Sequence, residues 1–246
     1  MKILKYSYLK DSRYKITIDD KEIYLYEDII IKENLLIKKD ISEKELTRLL
    51  KENNFYELYY NALKYLKTKL RSKKEIEKYL KNINDDKNNI NKVIEKLSKD
   101  GYLNDKTYAK AYIHDYFYLK NIGPLKIKKD LLELKINETI IDEELLVIKK
   151  EEQINKIKTY INKQLNLNKN KSVHALKEKL SNNLIIKGYE KEYIIEELEN
   201  ISFNEEDLFK KEYDKLYKKY SKKYTGKDLE YKIKQKLYEK GFKNNY

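Results

Sequence analysis

Leu63-Lys64-Tyr65-Leu66-Lys67-Thr68-Lys69-Leu70-Arg71-Ser72-Lys73-Lys74-Glu75-Ile76-Glu77-Lys78-Tyr79-Leu80 reads as helix, sharp turn, helix. Leu63, Leu66 and Leu70 recur at the i, i+3, i+7 spacing of one buried face. Ser72 is placed to cap a second helix. Glu75, three residues on, completes a capping box in which two orphan amide donors are satisfied reciprocally. The second helix then buries Ile76 and Leu80 and leaves Lys73, Lys74 and Lys78 off that stripe. From Lys64 to Lys81 eight basic residues stand against Glu75 and Glu77 alone.

Outward from this stretch the pattern recurs. Second-helix cores fall at Ile76–Leu80, Ile127–Leu131, Leu176–Leu180 and Ile233–Leu237, with their final leucines 51, 49 and 57 residues apart. Ser72, Gly123 and Ser172 each stand eight residues before the first three of these leucines, at a helix start; Gly226 lies eleven before the fourth. First helices are striped by Leu63, Leu66 and Leu70; by Tyr108, Tyr112 and Tyr116; by Ile154, Ile157 and Ile161; and by Phe209, Tyr213, Leu216 and Tyr220. Third helices use Ile90, Val93, Ile94 and Leu97; Ile140, Ile141 and Leu145; and Ile194, Ile195 and Leu198. The fourth unit lacks a third helix before Tyr246. All five glycines fall at helix boundaries, and a period of this length marks stacked three-helix repeats.

Residues 3 to 40 differ. Ile3–Leu9, Tyr14–Ile18 and Glu22–Tyr26 are rich in Ile, Tyr and Thr and are broken by Asp11-Ser12 and Asp19-Asp20, which predicts a small antiparallel meander. Glu27 to Leu36 fits a short helix or a further strand, and Ser42 with Glu45 opens a helix through Leu50. The expected organisation is mainly α, with tandem helix-turn-helix-like repeats in an elongated arrangement. It comprises a β-rich segment at 1–40, a leading helix and repeat 1 at 41–105, repeat 2 at 106–150, repeat 3 at 151–203 and a partial repeat 4 at 204–246.

Fifty-five Lys and Arg against 42 Asp and Glu give a net charge of +13, which favours a polyanionic partner. The abundance of Lys, Asn, Ile and Tyr also reflects base composition, so clusters carry more meaning than totals. The densest clusters are Lys67, Lys69, Arg71, Lys73, Lys74 and Lys78, then Lys126, Lys128 and Lys129 at the equivalent place in the second unit, and Lys222, Lys223, Lys227, Lys232 and Lys234 in the fourth. Lysines in this pattern suit sequence-independent attraction to phosphate. Charge is segregated: residues 208–246 hold thirteen Lys against five acids, residues 190–207 eight acids against Lys191, and third helices tend to be acidic. Of the 25 tyrosines, those at helical spacing read as core, while exposed ones beside lysines could stack on bases.

Enzymatic constellations are missing. Five scattered glycines build no phosphate-binding loop, His114 and His174 read as structural, and Asp19-Asp20, Asp85-Asp86 and Glu151-Glu152 read as turns and solvated faces. Zero cysteines exclude a disulfide scaffold or thiolate metal site. No apolar h-region follows Met1, and no run approaches the ~20 apolar residues of a membrane span, so a cytoplasmic protein is expected.

Ala62-Leu63-Lys64-Tyr65-Leu66 followed by Arg71-Ser72-Lys73-Lys74-Glu75-Ile76 resembles the opening repeat of the RecX family of regulatory proteins. Leu97-Ser98-Lys99-Asp100-Gly101-Tyr102-Leu103-Asn104-Asp105-Lys106-Thr107-Tyr108-Ala109 resembles that family's junction between repeats one and two. Gly123-Pro124 with Ile127 to Leu131 is similar to its second repeat. The likeness is strongest over residues 40–146. Beyond it, Leu180 to Tyr189 is four residues longer than Leu237 to Phe242, which suggests an extra helical turn, and the approach to the fourth core is stretched by three. The resemblance implies a non-enzymatic modulator of the recombinase RecA, most often an inhibitor. It would need no cofactor, act as a monomer and bind along the groove of the RecA–single-stranded DNA filament, with direct single- or double-strand contact in some members. The alternative is a stand-alone basic DNA-binding protein acting without RecA.

Overall fold

Three β-rich runs form a meander, with β1 (Ile3–Leu9), β2 (Arg13–Ile18) and β3 (Lys21–Tyr26) pairing antiparallel in that order. This is a computed structural model, and it describes residues 1–167, 172–201 and 206–242. Tyr6, Ile16 and Ile23 stand side by side in the ladder, so alternate residues share a face. Asp11, Ser12 and Asp19 take positive φ in the two connections, the use for which short polar side chains suit tight turns. The segment left open between helix and strand forms α1 (Glu27–Lys32) and a 3₁₀ turn, Leu35–Ile37. Ile16, Ile18, Leu25, Ile29, Ile30, Leu35, Ile41 and Leu49 make one buried cluster.

The helix opened by Ser42 does not stop at Leu50. It continues as α2 (Glu43–Leu66), because neither Gly nor Pro interrupts those 24 residues. One side of α2 holds the sheet: Asn53 Oδ1 accepts from the Tyr26 amide at 3.0 Å, its amide group donates to Tyr24 O at 3.2 Å, and Tyr60 stacks on Tyr26 at 4.7 Å. Its last turns bury Leu58, Tyr59 and Ala62 against Ile76 and Leu80 of α3 (Lys73–Lys81) and Ile90, Val93 and Leu97 of α4 (Lys87–Lys99). The predicted stripe overreaches at Leu70, which lies in the turn and is 52% exposed. The chain turns earlier because the Thr68 hydroxyl bonds Tyr65 O at 3.0 Å and the Arg71 guanidinium lies 3.9 Å over the Tyr65 ring.

Ser72 forms the full capping box with Glu75. Ser42 forms half of one, since the Glu45 carboxylate turns to Lys38 at 2.6 Å.

In repeat 2, α5 (Asp105–Ile113) runs into a six-residue π-helical turn, His114–Leu119. The buried stripe is Ala109, Ile113 and Phe117, one position on from the predicted tyrosines. Tyr108, Tyr112 and Tyr116 sit half-buried beside it, and Tyr112 stacks on Tyr116 at 3.9 Å. Next come α6 (Pro124–Glu133) and α7 (Glu138–Leu145). Repeat 3 is α8 (Lys150–Leu167), α9 (Val173–Ile186) and α10 (Lys191–Glu199); repeat 4 is α11 (Glu206–Tyr220) and α12 (Gly226–Glu239). All eight second-helix core residues are buried, none more than 4% exposed. α9 carries the extra turn expected of it and buries Leu184, whereas α12 is lengthened at its start. Ile195 and Tyr213 depart from the predicted stripes, being 43% and 36% exposed. The boundary expected at residues 203/204 and the chain end at Tyr246 lie outside the described residues.

The chain divides into two compact units. The first is Met1–Tyr108 with Leu134–Ile136, and the second is Ala109–Glu133 with Asn137–Tyr246. Within the second unit the repeats are joined by the same device used twice. The Gly123 amide donates to Lys187 O at 2.7 Å and the Leu125 amide to Gly188 O at 3.0 Å, so the start of α6 seats on the turn after α9. A Cβ on Gly188, which has φ +83°, would lie 2.3 Å from the Lys126 amide nitrogen. One repeat later the Ser172 hydroxyl, at the start of α9, donates to Lys240 O at 2.7 Å. A Cβ on Gly241, at φ +88°, would lie 2.5 Å from that hydroxyl. A Cβ on Gly123 would in turn lie 2.2 Å from Gly188 O. Gly123 is therefore required for close approach of backbones, beyond the helix-start role its spacing suggests.

Candidate nucleic-acid interface

The helix pair α2–α3 shows what the turn does to its charges. Arg71 is half-buried, stacked on Tyr65, which itself stacks on Tyr79 at 4.1 Å. Its guanidinium reaches Glu75 at 3.4 Å and Lys69 reaches the same carboxylate at 3.6 Å. Burial opposes ionisation of Glu75. The Ser72 amide, the Tyr108 hydroxyl and the charges of Lys69 and Arg71 outweigh it and hold the carboxyl below its ordinary range. Lys73 pairs with Asp105 at 2.9 Å.

The second cluster is divided in the same way. Lys126 pairs with Asp130, and Lys128 bridges Glu138 at 2.8 Å and Asp142 at 2.7 Å. Both lysines have their pKa raised by those hydrogen-bonded carboxylates.

Five predicted contact residues, Lys69, Arg71, Lys73, Lys126 and Lys128, are thus already engaged by acids. Lys67, Lys74, Lys78, Lys129, Lys222, Lys223, Lys227 and Lys234 are exposed, and Lys232 lies alongside Gln235 at 2.9 Å. Lys78 and Lys129 occupy one register position, two residues before Leu80 and Leu131, on the outer sides of α3 and α6.

Two features escaped the sequence reading. α4 is a basic third helix, unlike α7 and α10. Its Lys92, Lys96 and Lys99 line a shallow groove of about 400 Å³ with Phe55, Glu95 and Asp100. Lys96 pairs with Asp100 at 3.1 Å and lies 5.1 Å from the Tyr59 ring centre. The i, i+4, i+7 spacing of those lysines was the available signal. On α12, Tyr231 and Tyr238, which the sequence reading did not single out, are 73% and 57% exposed. His114 is exposed beside Asp115, and among the described residues no group of three or more His, Cys, Asp or Glu could hold a metal ion. No helix among them is long and apolar enough to cross a membrane.

Comparison with known proteins completes the picture. Residues 104–145, from the turn before α5 to the end of α7, match the family model for the second three-helix domain of RecX. A regulatory protein RecX of Halalkalibacterium halodurans is 31% identical over 242 residues, spanning 94% of this chain and 91% of its own. The chain belongs to the RecX family. A second RecX relative, from Lactococcus lactis subsp. cremoris, is 34% identical over 236 residues, with 92% of this chain and 87% of its own covered. A crystal structure of a regulatory protein RecX shares the fold, with a TM-score of 0.71 at 24% identity over 81% of this chain and 99% of that one. The RecX structure from Lactobacillus salivarius gives 0.54 at 29% identity over 61% and 99%. In this RecX-family chain, repeats 1 and 2 share one outward lysine position, Lys78 and Lys129, and repeat 4 carries a set of its own.

Proposed function

We propose that this chain regulates the RecA recombinase, binding along the RecA–single-stranded DNA filament and limiting its activity by occupancy, without catalysis or a cofactor. The observation that carries the reading is the recurrence of exposed lysines at one register of successive second helices, Lys78 on α3 and Lys129 on α6. The RecX name borne by relatives supplies the regulatory role. A repeated, weakly attractive unit suits a repetitive polyanionic assembly, because linked contacts gain avidity that a single patch lacks. Residues Lys67, Lys74, Lys78, Lys129, Lys222, Lys223, Lys227 and Lys234 are the proposed contacts, while Lys73, Lys126 and Lys128 already face carboxylates of the chain itself.

The test is RecA's single-strand-dependent ATPase as this protein is titrated in, with binding to naked DNA followed alongside. Substoichiometric suppression with weak naked-DNA affinity is the expected result. An unchanged RecA rate together with tight, salt-sensitive binding to bare DNA would replace this reading with a DNA-binding protein that acts alone.

A further inference from the structure

Three positions of a second helix lie off its buried stripe: six and three residues before its last core leucine, and one after it. On α3 they are Lys74, Glu77 and Lys81; on α6 Leu125, Lys128 and Leu132; on α12 Tyr231, Lys234 and Tyr238. Lys227 extends the α12 set by one turn. The stripe Lys227, Tyr231, Lys234, Tyr238 has successive spacings of four, three and four, which is one face of a helix. All four side chains are exposed, while the opposite face buries Leu229, Ile233 and Leu237. No acid lies within the stripe. Asp228, Glu230 and Glu239 fall to its sides, and Glu239 is paired with Lys236 at 2.6 Å.

We propose that this stripe is a stacking surface for the unpaired bases of a single-stranded nucleic acid. Two tyrosine rings turned to water beside a packed helix offer π-faces, on which any base stacks without sequence preference. The alternating lysines meet the phosphates that such a strand brings with each base. Charge complementarity selects nucleic acid over an apolar peptide, because cations separate the rings and the surrounding segment, residues 208–246, holds thirteen Lys against five acids. A duplex hides its base faces and could use only the lysines. The same positions on α3 and α6 lack aromatic rings, so repeat 4 alone among those three would touch bases. The proposal rests on the polyanion-binding reading above and assigns repeat 4 its strand contact.

The experiment uses the full chain and three labelled probes of equal length: a thymidine oligonucleotide, its abasic counterpart and a duplex, with binding followed by fluorescence anisotropy. The thymidine strand should bind more tightly than the abasic strand. The double variant Tyr231→Ser with Tyr238→Ser should lose at least about fivefold per ring on thymidine while its abasic and duplex affinities hold. Lys227→Gln with Lys234→Gln should weaken all three probes and flatten their salt dependence. Equal binding of thymidine and abasic strands by the parent protein would overturn the proposal, as would an unchanged tyrosine variant whose circular dichroism and melting match the parent. Running the RecA ATPase on the same variants separates the readings: loss of thymidine preference with suppression intact supports the stripe independently of RecA.

Discussion

Glu75 shows how much one side chain can bind together. It accepts from the Ser72 amide at 2.9 Å and the Tyr108 hydroxyl at 3.1 Å, and it faces Lys69 and Arg71. Its folded pKa lies below the ordinary 4.5, so ionisation is favoured by folding. That contribution is complete above pH 4.5 and disappears as pH falls through the lowered folded value. Urea midpoints measured against pH should therefore decline on the acid side for the parent. Glu75→Gln should be less stable at neutral pH and should converge with the parent in acid. Parallel curves would show that the carboxylate's charge does not matter to the turn. The capping half of this arrangement was legible, because Ser and Glu three apart define it locally. The rest was not, because Tyr108 lies 33 residues away in sequence.

At the scale of elements, the strands, the helix starts at Ser72 and Ser172 and the buried second-helix pairs follow from spacing alone. Spacing fails where an element's end depends on a partner. Leu70 continues the period of α2 but falls in a turn fixed by Thr68 and by Arg71 stacked on Tyr65. In α5 the Ala109–Ile113–Phe117 stripe competes with a tyrosine stripe one residue out of phase; the smaller and less polar set enters the core. The joints between repeats were invisible for the same reason, since a glycine at a helix end signals a cap whether or not another backbone rests on it. Two glycines separate the effects. Gly101 has φ +82° with nothing within 4 Å of the point a Cβ would occupy, and Gly188 has φ +83° with the Lys126 backbone 2.3 Å from that point. Gly101→Ala should lose about 1 kcal/mol, the cost of a left-handed non-glycine residue. Gly188→Ala should lose about 3 kcal/mol or more, because the α6 start must also shift. Urea unfolding of the two variants checks this, and equal losses would mean that the close approach adds nothing.

Across the whole molecule, the sequence shows where lysines cluster but not which of them folding brings against an acid. Lys73 meets Asp105, 32 residues on, and Lys128 meets Glu138 and Asp142 from the following helix; folding makes these pairs, and no local window contains the first. The distinction predicts two classes of variant. Replacing the outward set Lys78, Lys129, Lys222, Lys223 and Lys227 by Gln should lower the salt slope of single-strand binding by ~0.7 for every lysine that meets a phosphate. It should also raise the concentration needed to suppress RecA. Replacing the engaged set Lys73, Lys126 and Lys128 should change the slope far less, because a carboxylate already neutralises each cation and little counterion is released when phosphate approaches. Neither set should alter stability much, since exposed ion pairs contribute about 0–1 kcal/mol. Any difference in binding would then report charge availability and not folding. Equal slopes for the two sets would show that the ion pairs open on binding and that the polyanion competes with the protein's own acids.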